Sequence, residues 1–299
     1  MHNIWEKVKS KAMRIRLFPT LRNYRKEFLP KDIFSGIIIA LVSIPISMGY
    51  AQIAGLPAVY GLYGSVFPII FFALFSTSRQ FIFGVDAAPA AIVGAALSTL
   101  GIVPGSSAAM QYVPVIALFA GLWLLLFCAL RADRIVNFIS TPVMGGFISG
   151  IAATIIFMQI PKILGGSAGT GELPELLRHI ADTAVHINLP SLILGAVSLA
   201  VLIAAKRFIP KFPMAIAVMA AGVILTAFFH IQDYGVALLE QVEPGMPGVF
   251  IPDFSQINIT NAAGRSLIVA IVIMAETLLA ENNFAAKNGY HLNDRQEIL

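Results

Sequence analysis

Glu276 is the only charged side chain between Arg265 and Glu281. A carboxylate that deep in an apolar run is expensive to keep ionised and alone. It must hold a proton, bind a cation such as Na⁺, or hydrogen-bond to a neighbouring helix. Asp86 is the second such group, placed between Gly84 and Pro89 in an apolar stretch. Asp is a favoured helix N-cap, so Asp86 reads either as a second coupling group or as the cap of an interrupted helix. Four hydroxyls complete the set. Ser43, Ser47 and Tyr50 flank Pro45, and Thr277 follows Glu276. They either line a polar site or re-satisfy the carbonyl that Pro45 frees. This chemistry is ion-coupled movement of a solute, with H⁺ or Na⁺ as the coupling ion and no organic cofactor. No nucleophile–base pair, metal-ligand spacing or phosphate loop stands out, so the chain does not read as an enzyme.

The elements that must hold these groups are membrane spans. The 98 residues between Asp32 and Arg131 contain two charges, Arg79 and Asp86. Hydrophobic residues make up 58% of the chain and charged residues 12%, where a soluble domain has about 25% charged. A helix needs roughly 20 apolar residues to cross a bilayer. Eight such runs are read, at about 33–54, 58–77, 81–101, 110–130, 143–160, 189–205, 212–230 and 263–286. Gly84 and Pro89 interrupt the third, which is expected to be part extended and part helical. The segment Arg134–Thr141 reads as amphipathic and interfacial. The loop 161–188 is expected to carry a surface helix, and Pro244–Pro247 a short hairpin.

Charge supports the count. With the N-terminus cytoplasmic, 17 of the 20 Lys and Arg residues fall on the inner side, and the outer loops hold Lys162 and Arg178. Such a bias is the positive-inside pattern. It explains the net charge of +4 without nucleic acid, and the basic N-terminus faces anionic lipid. Cys128 is the single cysteine, so no intrachain disulfide forms. Residues 1–31 are too basic for a signal peptide. Arg79 reads as the anchor of an inner turn. Glu281, Asn282 and Asn283 read as a solvated inner face, and His179 and His186 as solvated. Gly61–Gly64 and Gly145-Gly146 read as points of close helix packing.

The stretch IPISMGYAQIAGLPAVYGLYGSVFPIIFFALFSTSRQFIFGVDAA, from Ile44 to Ala88, resembles the sulfate permease (SulP, SLC26) family of anion transporters. The matched residues are Pro45, Tyr50, Ala51, Ala54–Pro57, Tyr60–Tyr63, Thr77–Arg79, Gly84 and Asp86–Ala87. A second block, AETLLAENNFAAKNGYHLNDRQEIL, is similar to the eighth helix of that family and its NGY…N(Q)EL tail. The chain departs from the family pattern at Ile46, where Gln is frequent, at Val85 in place of Pro, and at Ser76 in place of Gly.

The resemblance implies an all-α polytopic membrane protein, the first half of a 7+7 inverted-repeat fold with a broken third span. Residues 1–32 would be a basic cytoplasmic segment, 33–262 the first seven-span repeat, and 263–299 the first span of the second repeat. On this reading the chain is a fragment of a longer product. The resemblance further implies alternating access, an inner (plasma) membrane location and a homodimer. It places a small anion at the half-helix N-terminus, where unpaired amides and the helix dipole favour negative charge. The backbone amides of Ala87 and Ala88 are then expected to touch the substrate, beside Ser43, Ser47, Tyr50 and Thr277. Glu276 and Asp86 would carry the coupling ion. Sulfate, bicarbonate and C4-dicarboxylates are the substrates the resemblance suggests. A conducting channel of the same fold and a non-transporting membrane scaffold remain as alternatives.

Overall fold

The computed structural model describes residues 24–132, 141–167, 173–210, 212–239 and 251–299, together with 17–19, 169, 242, 245 and 248. Ten α-helices and no strand occur among them: α1 Leu29–Ile53, α2 Val59–Phe75, α3 Ala87–Thr99, α4 Ser107–Leu130, α5 Thr141–Ile163, α6 Leu173–Val185, α7 Leu189–Phe208, α8 Met214–Phe229, α9 Ile259–Asn288 and α10 Asp294–Ile298. Each of the eight apolar runs contains one helix. Among the described residues, α1 with its preceding turn, α4, α7 and α9 are long and apolar enough to cross a membrane. The apolar helices of α2, α3, α8 and the second half of α5 are shorter. Large apolar side chains such as Phe34, Leu122, Val197 and Phe228 point outward. That suits a hydrocarbon solvent, since in water such a surface would drive association.

The helix ends follow from local chemistry. Ser106, Asn188 and Asn258 cap α4, α7 and α9, accepting from the N–H groups of Ala109, Ser191 and Asn261 at 3.2, 2.9 and 3.1 Å. A cap of this kind contributes about 1 kcal/mol. Gly289 ends α9 at φ +69°, the left-handed conformation in which glycine avoids Cβ strain. Pro45 stays inside α1, as neighbouring helices permit in a membrane. The third span is broken as expected: residues 79–86 carry no helix, and α3 begins only after Asp86. The expected surface helix in the loop 161–188 is α6. The segments expected to be interfacial (Arg134–Thr141) and hairpin-like (Pro244–Pro247) lie, respectively, almost wholly and for the most part outside the described residues.

Two helix groups emerge from the packing. In the first, α9 packs along α4 and against α3, while α1 packs on α2 and α3. On α9, Ala262, Ser266 and Ala270 are fully buried at four-residue spacing. Small residues on one stripe let backbones approach, which is how helices associate where water provides no drive. They meet Leu97, Val115 and Ile116 in the main core. The Trp123 indole N–H donates to the Ala263 carbonyl at 3.0 Å and ties α4 to α9. In the second group, α5 packs on α6 and α7, and α7 on α8.

Close packing at Gly61 is real. A Cβ there would lie 2.1 Å from the Ser47 carbonyl oxygen, and one at Gly64 would lie 2.7 Å from Val85. The same expectation fails at Gly145 and Gly146, where a Cβ would meet nothing within 4 Å among the described residues.

Candidate functional site

The break before α3 opens onto a cavity of about 1770 Å³ between α1, α2, α3, α4 and α9. Ser43, Ser47 and Tyr50 line it from α1, Asp86 from the break, and Glu276 and Thr277 from α9. The rest of the wall is mostly apolar. The sequence thus placed these six groups on separate elements, and the tertiary structure brings them to one space.

Asp86 caps α3, its Oδ1 accepting from the Ala87 N–H at 2.6 Å. Its carboxyl also faces that of Glu276 within hydrogen-bonding reach. Oε2 of Glu276 is buried with no hydrogen-bond partner among the described residues. Two carboxyl groups in contact repel when both are ionised, so a shared proton or a cation between them is the stable arrangement.

The α3 N-terminus offers an anion less than an open helix end does. The Ala87 N–H is taken by Asp86, Pro89 has none, and the Ala90 N–H donates to the Asp86 carbonyl at 3.2 Å. Only the Ala88 N–H is left in the first turn. Ala87 and Ala88 do not line the cavity, and Ala87 is buried. The expected pair of amide contacts therefore narrows to one donor. Ser47 is constrained as well: its hydroxyl donates to the Ile44 carbonyl at 3.0 Å, so its proton is already used within α1. Tyr50, Ser43 and Thr277 keep side chains on the wall.

At the end of the molecule where α4 and α9 finish, the two sequence blocks meet. The Thr77 N–H donates to Glu297 Oε1 at 2.7 Å, and the Thr77 hydroxyl contacts the same oxygen. Gln296 donates to the Phe75 carbonyl at 2.6 Å. The Arg79 guanidinium sits 5.7 Å from the centre of the Tyr290 ring, consistent with an anchoring role. Glu281 is not a solvated residue. It is fully buried because the α10 segment folds back over this face of α9. Asn282 is half-buried and donates to Asp294 Oδ1 at 3.2 Å, whereas Asn283 is exposed. Sequence reasoning missed this cluster, although the matched TSR turn and the NGY…QEI tail both belong to it. At the opposite end, Arg265 donates to the Thr99 hydroxyl at 2.6 Å, a cation at the C-terminus of α3 where the dipole favours it. His179 is half-buried against the Ser167 carbonyl at 3.2 Å, and His186 is exposed.

Residues 29–299 match the model of the sulfate permease family. A probable sulfate transporter of Mycobacterium tuberculosis is 28% identical, over 93% of this chain and 49% of that protein. The low affinity sulfate transporter 3 of Stylosanthes hamata is 30% identical, over 95% of this chain and 48% of that protein. The chain spans about half the length of these relatives. Among solved structures, SLC26A9 superposes with a TM-score of 0.79 at 23% identity, covering 98% of this chain and 50% of the other. The transmembrane domain of the cyanobacterial bicarbonate transporter BicA gives 0.77 at 19% identity, covering 95% and 71%.

Proposed function

The chain belongs to the sulfate permease family of membrane transporters, and from that premise we propose that it forms the substrate-binding half of an H⁺-coupled anion transporter. The observation that carries the reading is the contact of Asp86 with Glu276 at the break before α3, on the wall of an open cavity. A proton held between the two carboxyls lowers their joint charge from −2 to −1 and so weakens the repulsion of an anion arriving at the α3 N-terminus. Proton binding then favours anion binding and the reverse, which is the requirement for symport. Tyr50, Ser43 and Thr277 supply hydroxyls on the cavity wall, whereas the free amide of Ala88 lies off that wall. Sulfate is a substrate candidate from the names of the relatives, and bicarbonate and C4-dicarboxylates are candidates from the family resemblance. The charge distribution supports a cytoplasmic N-terminus, and a plasma-membrane location follows from the family resemblance. A homodimer working by alternating access follows from the family resemblance.

The test is uptake into proteoliposomes that contain the protein. Sulfate, bicarbonate and succinate are offered under imposed H⁺ or Na⁺ gradients. Accumulation driven by an inward H⁺ gradient is expected, and its loss in Glu276→Gln with folding intact. Accumulation retained in Glu276→Gln overturns the role of Glu276. Accumulation driven by Na⁺ alone replaces the proton by that ion, and current without accumulation replaces symport by a channel.

A further inference from the structure

Glu281 is the most sequestered acid among the described residues. Its side chain is fully buried and neither carboxyl oxygen has a hydrogen-bond partner. It points at Glu297, the acid that receives Thr77 on Oε1. The other oxygen of Glu297, Oε2, is also buried and without a partner. Among the described residues, the charged groups that act on Glu281 are Glu297 and Asp294, both acidic. The nearby bases are engaged elsewhere: Arg295 Nε donates to the Cys128 carbonyl at 3.2 Å and Arg79 stacks on Tyr290. Lys287 and His291 are exposed. No group of His, Cys, Asp and Glu side chains among the described residues could hold a metal ion.

An ionised carboxylate in such a place costs several kcal/mol. One proton removes the cost. Carried by Glu281 as an O–H, it donates to Glu297 Oε2, which gives a partner to that oxygen and to one of the two Glu281 oxygens. The bond then joins α9 to α10. Glu297 in turn holds the turn at Thr77, and Gln296 holds Phe75, so the proton completes a clasp across α2, α9 and α10.

We infer that Glu281 and Glu297 form a second proton-binding site, separate from the Asp86–Glu276 pair, whose proton latches α10 onto the ends of α2, α4 and α9. Loss of the proton leaves two facing carboxylates and releases α10. The inference rests on this contact network and does not depend on the transport reading.

Cys128 reports the latch. Its thiol lies 3.4 Å from the Arg295 carbonyl under α10, and Ile298 packs in the same cluster. It is the single cysteine of the chain. The experiment measures alkylation of Cys128 by N-ethylmaleimide between about pH 6 and pH 9 in detergent. The rate is divided at each pH by that of the same chain unfolded in SDS, which removes the ordinary thiol ionisation. The normalised rate is expected to rise with pH by up to about tenfold per unit while the proton leaves. Glu281→Gln and Glu297→Gln each supply a fixed N–H donor between the two positions, and each is expected to flatten the rise. Two variants guard against one failing to fold, judged by size-exclusion chromatography. A normalised rate that does not change with pH in the unsubstituted chain overturns the inference. So does an undiminished rise in a folded variant.

Discussion

Glu276 and Glu281 sit five positions apart on one helix, about 7.5 Å along its axis, and their surroundings separate them completely. Glu276 shares its site with Asp86 on the wall of an open cavity. Glu281 shares its site with Glu297 under a sealed cover of α10. Both are paired acids in an apolar helix, and water access divides their work. A proton at an open site exchanges with every solute that enters, which suits coupling. A proton at a sealed site exchanges when the cover opens, which suits a latch.

The largest expected effect breaks the open site. Glu276→Gln removes the exchangeable proton and is expected to abolish gradient-driven uptake, measured in proteoliposomes with the protein still monodisperse. Next comes the sealed site. Glu297→Ala deprives the Thr77 N–H of its acceptor and leaves Glu281 facing a void. Unsatisfied buried groups cost about 1–3 kcal/mol each, so thermal unfolding in detergent is expected to show a clear loss of stability. An unfolding temperature equal to that of the unsubstituted chain would mean that the Glu297 contacts contribute nothing to the fold.

Asp86 sharpens the contrast from the other side. Asp86→Asn keeps an oxygen to cap α3, while Asp86→Ala gives up about 1 kcal/mol of capping. Uptake is expected to fall in both variants, and stability in the alanine variant alone. A stability loss of equal size in both would make the charge, not the cap, the structural contribution.

The two helix groups differ in the same sense as the two acids. Gly61→Ala forces a Cβ onto the Ser47 carbonyl and is expected to cost about 1–3 kcal/mol. Gly145→Ala meets open space and is expected to stay within about 0.5 kcal/mol. Thermal unfolding of the pair compares a tight helix crossing with a loose one.

The smallest effect concerns a third acid, outside the membrane. Asp253 is held below the usual carboxylate range by hydrogen bonds from the Ser255 hydroxyl and N–H. Its contribution is present above the unfolded value and lost as pH falls through the folded one. Faster amide exchange at Ser255 on acidification, after correction for intrinsic exchange, would register that loss.

Much of the fold was legible because its signals are local. Apolar run length reports the solvent, the absence of charge marks the spans, and Gly84 with Pro89 marks the break. Asp86 as a cap is equally local, since it needs only the next residue. The burial of Glu281 was not legible. Alone on α9 it has the look of a helix end returning to water, and it is buried only because a segment sixteen positions later turns back over it. The occupied Ala87 amide was hidden for a related reason: whether a cap spends a donor on itself depends on a rotamer.

By itself the sequence determined the solvent of this chain, its helical spans, the interrupted third span and the family to which it belongs. These follow from hydropathy, turn chemistry and short motifs, each acting over a few residues. Only the tertiary structure decided which acids face one another. It set Asp86 against Glu276, joined Thr77 to Glu297 and closed Glu281 away from water. Those pairings span up to 220 positions, and they arise from how whole helices pack, which no local pattern encodes.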